Sequence, residues 1–126
     1  MYVKYLIEKL KEHPNTMSVY MQKKEYFGNV GDVFSVIKTT HPNTGKPCIL
    51  LVDGEEEMER PYLGISTNEY TANVRALIKV LEMYDGDIEV MTKPGNGRKN
   101  FCDIQETELS SYGFFGKSIP CVLLVG

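Results

Sequence analysis

Apolar side chains recur at i, i+3, i+4 and i+7 near the start of the chain, as Val3, Leu6, Ile7 and Leu10. That spacing lays one apolar stripe along a helix and predicts a helix over about residues 2–12. His13-Pro14 ends it, because the residue before a proline is pushed out of helical angles. From Met17 to Gln22 the period falls to two, with Met17, Val19 and Met21 on one face of a strand. A second strand is predicted over 30–38 and a third over 47–52. The third, Pro47-Cys48-Ile49-Leu50-Leu51-Val52, has no alternation, so it should be covered on both faces or lie centrally.

The pattern is then written again. Val3, Leu6, Ile7, Leu10 and Val19 match Val74, Leu77, Ile78, Leu81 and Val90 at an offset of 71. The Pro47–Val52 string matches Pro120–Val125 at an offset of 73, a drift that two loops of different length would produce. The second copy predicts a helix over 72–84, capped by Thr71 and stopped by Asp85-Gly86-Asp87, then strands over 88–92, 101–108 and 119–125. Each copy reads α-β-β-β, an antiparallel meander with one helix on one face. Units of this size bury little alone. The expected fold is therefore α+β: two tandem α-β-β-β repeats, 1–54 and 72–126, packed as a pseudo-twofold intramolecular dimer with antiparallel sheets. An acidic linker, 55–71, joins them into one globular domain, and Tyr62, Leu63 and Ile65 in it are candidates for an extra short strand.

Composition narrows the class. The chain has 126 residues, 42% of them hydrophobic and 25% charged, which fits a folded soluble protein and not a disordered one. Its longest apolar runs fall well short of the roughly 20 residues that a membrane helix needs. Three cysteines cannot all pair, and no charged-then-apolar leader opens the chain, so reduced thiols in a cytoplasm are expected. The net charge of −3 speaks against a general nucleic-acid binder. The excess acidity sits in the linker, where Glu55, Glu56, Glu57, Glu59 and Glu69 face only Arg60.

Candidate chemistry is sparse. Cys48 and Cys121 fall at matched places inside the most apolar strand, where a thiol is packing material and not a nucleophile. Cys102, at a strand start, is the more reachable thiol. No Cys-x-x-Cys exists, and no metal site or cofactor is expected. The two histidines, His13 and His41, each open a His-Pro-Asn-Thr string; a meander puts both at one sheet end, where they could be neighbours, yet two imidazoles alone make a poor metal site. Asp32 and Asp103 match between copies ahead of the second strand, a place for a turn acceptor. No Ser-His-Asp, paired-carboxylate or Gly-x-Ser-x-Gly pattern occurs.

The turns after the first strand of each copy are basic although the protein is acidic. One carries Lys23 and Lys24; the other carries Lys93, Arg98 and Lys99 around Gly95-Asn96-Gly97, whose amides can approach an anion closely. Phe114 and Phe115, between Gly113 and Gly116, cannot both point inward from a short turn, so one is a candidate partner contact.

Val74-Arg75-Ala76-Leu77-Ile78-Lys79-Val80-Leu81 followed by Asp85-Gly86-Asp87-Ile88-Glu89-Val90 resembles the opening of many small phage, prophage and mobile-element proteins. Those carry a Leu-x-x-x-Leu helix, an Asp-containing turn and a Val-rich strand; the resemblance implies the fold unit and a phage or mobile-element origin, with which an accessory or counter-defence role would go by analogy. The function expected is a non-enzymatic binding module for a host protein or a small anionic, nucleotide-like ligand, through Lys23, Lys24, Lys93, Arg98, Lys99, Phe114 and Phe115. The alternatives are a small nucleotide-processing enzyme using His13 or His41 with a carboxylate such as Asp32, and a structural subunit of a larger assembly.

Overall fold

The computed structural model describes residues 1–22, 30–33, 35–54, 73–93, 101–114 and 116–126. Helix α1 spans Val3–Leu10 and α2 spans Val74–Leu81. Both form where the apolar stripe predicts them and are shorter than their periodicity suggests. After Leu10 the amides of Glu12 and His13 tighten onto the carbonyls of Lys9 and Leu10, closing the last turn before Pro14. The two N-termini differ. Asn73 caps α2, its Oδ1 accepting from the Ala76 N–H at 2.8 Å, which contributes about 1 kcal/mol. Tyr2 stands at the same place on α1 and offers no side-chain cap. Thr71, the cap expected from sequence, lies outside the described residues, as does the rest of the acidic linker.

The strands are β1 (Ser18–Gln22), β2 (Val30–Asp32), β3 (Ser35–Thr40), β4 (Pro47–Val52), β5 (Glu89–Lys93), β6 (Cys102–Asp103), β7 (Glu106–Phe114) and β8 (Lys117–Val125). They form two four-stranded sheets, in the orders β2-β1-β8-β7 and β3-β4-β5-β6. Both sheets are mixed. The outer pairs are antiparallel, but β1 runs parallel to β8 and β4 runs parallel to β5. This corrects the antiparallel meander. The single second strand expected in each copy is two strands, β2 with β3 and β6 with β7, and its members belong to different sheets. Alternation along one strand records which face is buried. It holds no record of which strand lies alongside, so a parallel neighbour from the far end of the chain is invisible to it.

The segments before residue 54 and after residue 73 interlock at each parallel junction. Ser18 is paired with Cys121 and Val19 with Val122; Cys48 is paired with Glu89 and Ile49 with Val90. Each helix also starts against the other's helix–strand turn. The Val3 and Lys4 amides donate to the Ile88 and Gly86 carbonyls, and the Val74 and Arg75 amides donate to those of Met17 and Asn15.

The main core lies between the helices and the sheets: Leu6 and Leu10 of α1, Leu77 and Leu81 of α2, Val19 and Met21 of β1, Ile49 and Leu51 of β4, Val90, and Val122 and Leu124 of β8. A second, smaller cluster of Ile37, Leu50, Val52 and Met91, with Phe101 against it, covers the opposite face of β3, β4 and β5. Two clusters on two faces explain the missing alternation in β4, whose residues from Cys48 to Val52 are all buried.

Candidate functional site

Period-two geometry sorts the side chains of the β3-β4-β5-β6 sheet. Ile49 and Leu51 point to the helices, so Cys48, Leu50 and Val52 point away. Register puts Glu89 beside Cys48 on that outer face. Lys46 precedes Cys48 by two positions and His41 follows Thr39, Cys48's partner on β3, by two, so both fall on this face as well. The turn between them is closed by the His41 N–H donating to the Lys46 carbonyl at 2.8 Å and by Gly45, whose φ of 71° suits glycine. On the far side of β5, Tyr2 forms an isolated antiparallel bridge with Glu89.

These elements enclose a cleft of about 290 Å³ at the start of the β4–β5 parallel pair. His41, Thr44 and Lys46 of the turn form one wall, and Tyr2 with Asp87 and Ile88 forms the other. Pro47, Cys48 and Glu89 lie between them. Burial pushes the Cys48 thiol above its ordinary pKa, and the nearby Glu89 carboxylate raises it further, so the thiol keeps its proton at neutral pH. The Asn43 N–H donates to His41 Nδ1 at 3.0 Å, which assigns the ring proton to Nε2. Phe101 meets the His41 ring edge-on, with centroids 6.1 Å apart. Asp87 is bound to Lys4 at 2.7 Å, a contact that raises the Lys4 pKa first through the hydrogen bond and then through the Asp87 charge. Both side chains are largely exposed, so the pair orders the turn more than it stabilises the fold.

Of the residues the sequence nominated, Lys23, Lys24, Arg98, Lys99 and Phe115 lie outside the described residues. Phe114 ends β7, where the sequence reading had a connecting loop, so that strand continues through Tyr112 and Gly113. Lys93 is described, and it is no solvated tip. It ends β5, pairs with Val52 and is only 3% exposed, among other buried polar residues: Ser35, Asp53 and Thr92. This polar group sits at the opposite end of β4 and β5 from the cleft. There the Asp53 amide donates to the Lys93 carbonyl at 3.5 Å, and the Thr92 hydroxyl lies 3.5 Å from the Cys102 carbonyl.

The two histidines, which a meander could have made neighbours, keep separate partners. His13 Nε2 lies 3.5 Å from the Thr107 hydroxyl of β7, and His41 keeps to Asn43 and Phe101. Asp32 ends β2, and its carboxylate accepts from the Gly54 N–H at 3.3 Å, a contact across 22 residues and not the local turn bond expected of it. Among the described residues no three His, Cys, Asp or Glu side chains gather as a metal would need. No helix among them is long and apolar enough to cross a membrane.

Tyr2, Thr44, Lys46, Asp87 and Glu89 were not legible as site residues. They come from three separate segments, which meet through the β4–β5 parallel pairing and the Tyr2–Glu89 bridge. The available signal was the Thr44-Gly45-Lys46-Pro47 turn ahead of the most apolar strand. Compared with protein families, curated proteins and solved structures, the chain matches none.

Proposed function

We propose that the protein is a non-enzymatic binding module whose cleft at the start of β4 and β5 holds a small polar ligand. One observation carries this reading: the cleft gathers hydrogen-bonding and charged side chains around groups that are poorly equipped to react. Its thiol is held protonated, where a nucleophile needs a lowered pKa. The imidazole has Nδ1 engaged by a backbone amide, and Asp32, the carboxylate that the enzyme alternative pairs with it, accepts from the Gly54 amide instead. A volume near 290 Å³ is at the small end for ligand sites, suited to a metabolite and not to a peptide or nucleic-acid strand. A counter-defence role, which goes with the phage-protein resemblance by analogy, would then consist of sequestering such a molecule.

We also infer that the scaffold is a duplicated unit closed on itself about a pseudo-twofold axis. Shifting residues by the repeat offset turns the Ser18–Cys121 pair into Glu89–Cys48 and the Val3-to-Ile88 hydrogen bond into Val74-to-Met17. It also exchanges the two sheet orders, β2-β1-β8-β7 for β6-β5-β4-β3. The offset holds at 71 from β1 through Ser35 and Glu106, then grows to 73 across the last hairpin alone. The unit this supports is α-β-β-β-β.

The test is native mass spectrometry of the protein purified from the cells that make it, followed by release of any bound molecule and its incubation with fresh protein. A binding module returns the molecule unchanged. Recovery of a converted product establishes an enzyme instead, and a cleft that copurifies with nothing and takes no metabolite removes the proposal.

A further inference from the structure

The charges around the cleft do not suit a simple anion. Lys46 supplies one positive charge, and Asp87 and Glu89 supply two negative ones. Asp87 is already neutralised by Lys4. The pair left over is Lys46 and Glu89, and among the described residues neither is in an ion pair. Glu89 adjoins Cys48 across one strand spacing, and Lys46 lies two positions back along β4. Their backbones are therefore about 8 Å apart on one face of the sheet. Opposite charges at that separation, with a cavity between them, fit a short molecule that bears both signs.

Resting on the binding reading above, we propose that the cleft takes a zwitterion of the α-amino-acid class. Its carboxylate meets Lys46, with the His41 Nε2–H and the Thr44 hydroxyl as further donors. Its ammonium meets Glu89 beside the Tyr2 ring, which adds a cation–π contact. An isolated phosphate or carboxylate would meet Lys46 equally well and then face Glu89 uncompensated, so anions are discriminated against. The repeat-related positions of Tyr2, Lys46, Asp87 and Glu89 are Asn73, Ile119, Thr16 and Ser18, all uncharged. The zwitterion site therefore belongs to one side of the scaffold, and the stoichiometry is one ligand per chain.

The experiment is isothermal titration of the full chain with the common amino acids at millimolar concentration. It is paired with amide chemical shifts at Lys46 and Glu89 that locate binding. At least one amino acid is expected to bind one to one and to move both resonances. Acetylating its amine or amidating its carboxylate should each weaken binding by roughly tenfold or more, as should Lys46→Met and Glu89→Gln, because each change removes one charge-assisted contact. Unchanged urea midpoints for both variants would show that the loss is not one of folding. Three results overturn the proposal: no amino acid shifts those resonances, both end-blocked derivatives bind as well as the parent, or neither substitution weakens binding. A nucleotide or simple acid occupying the cleft in place of amino acids also overturns it, while leaving the binding module itself standing.

Discussion

Lys93 shows how far one residue can depart from the role its neighbours suggest. Its place in a basic turn reads as a solvated lysine, yet the backbone ends β5 with the side chain 3% exposed and Asp53 1% exposed beside it. Lys93→Glu would set a second carboxylate into that space, and the expected cost is about 3–5 kcal/mol, read from urea unfolding. Charge reversal at exposed Lys9 should stay within about 0.5 kcal/mol. A Lys93→Glu change as mild as that would put its ammonium in water, as an exposed tip requires. The cysteines make a second test at this scale. Burial raises the Cys48 and Cys121 thiols above their ordinary 9.0, Cys48 further through Glu89. Between 9.0 and the higher folded values the folded state holds more protons than the unfolded one, so stability should fall as pH rises through that window. Half-buried Cys102 should react first with a disulfide reagent, and Cys48 and Cys121 only on unfolding. Prompt labelling of all three thiols in the folded protein would contradict both burials.

Among the elements, legibility followed the range of the forces that make them. The helices were readable because i, i+4 spacing is local, and β4 was readable to the residue because Pro47 and Val52 bound an unbroken apolar run. The joins were not. Two residues separate β2 from β3 and two separate β6 from β7, and across each the chain leaves one sheet and enters the other. Nothing as strong as a proline pair marks the crossing, and Asp32 and Asp103 before it read from sequence only as turn acceptors. The candidate cleft was hidden for the same reason. From sequence His41 reads as a candidate neighbour of His13, because its true surroundings, Lys46 across the turn and Glu89 across the parallel pair, depend on which strand lies beside β4. Local periodicity cannot carry that information.

At the scale of the whole molecule, neither half completes its own sheets. β1 finds its inner neighbour in β8 and β4 finds its own in β5, and each helix N-terminus is hydrogen-bonded to the other half's turn. Residues 1–54 and 73–126 expressed separately should therefore be largely unfolded when dilute, since each leaves an inner strand of both sheets with an open edge. Mixing them should restore the α+β circular dichroism of the intact chain. Because the two junctions share one register, either fragment at high concentration should also fold by pairing with a second copy of itself, making its melting temperature concentration-dependent. Net charge favours the mixed pair: residues 1–54 hold seven lysines against five acids, and residues 73–126 hold six Lys or Arg against seven acids. Like-charged homodimers lack that attraction, so salt should narrow the preference. Analytical ultracentrifugation with circular dichroism decides the matter. A fragment that is folded and monomeric at every concentration would mean that the halves are independent units and that the interlocked sheets are incidental to folding.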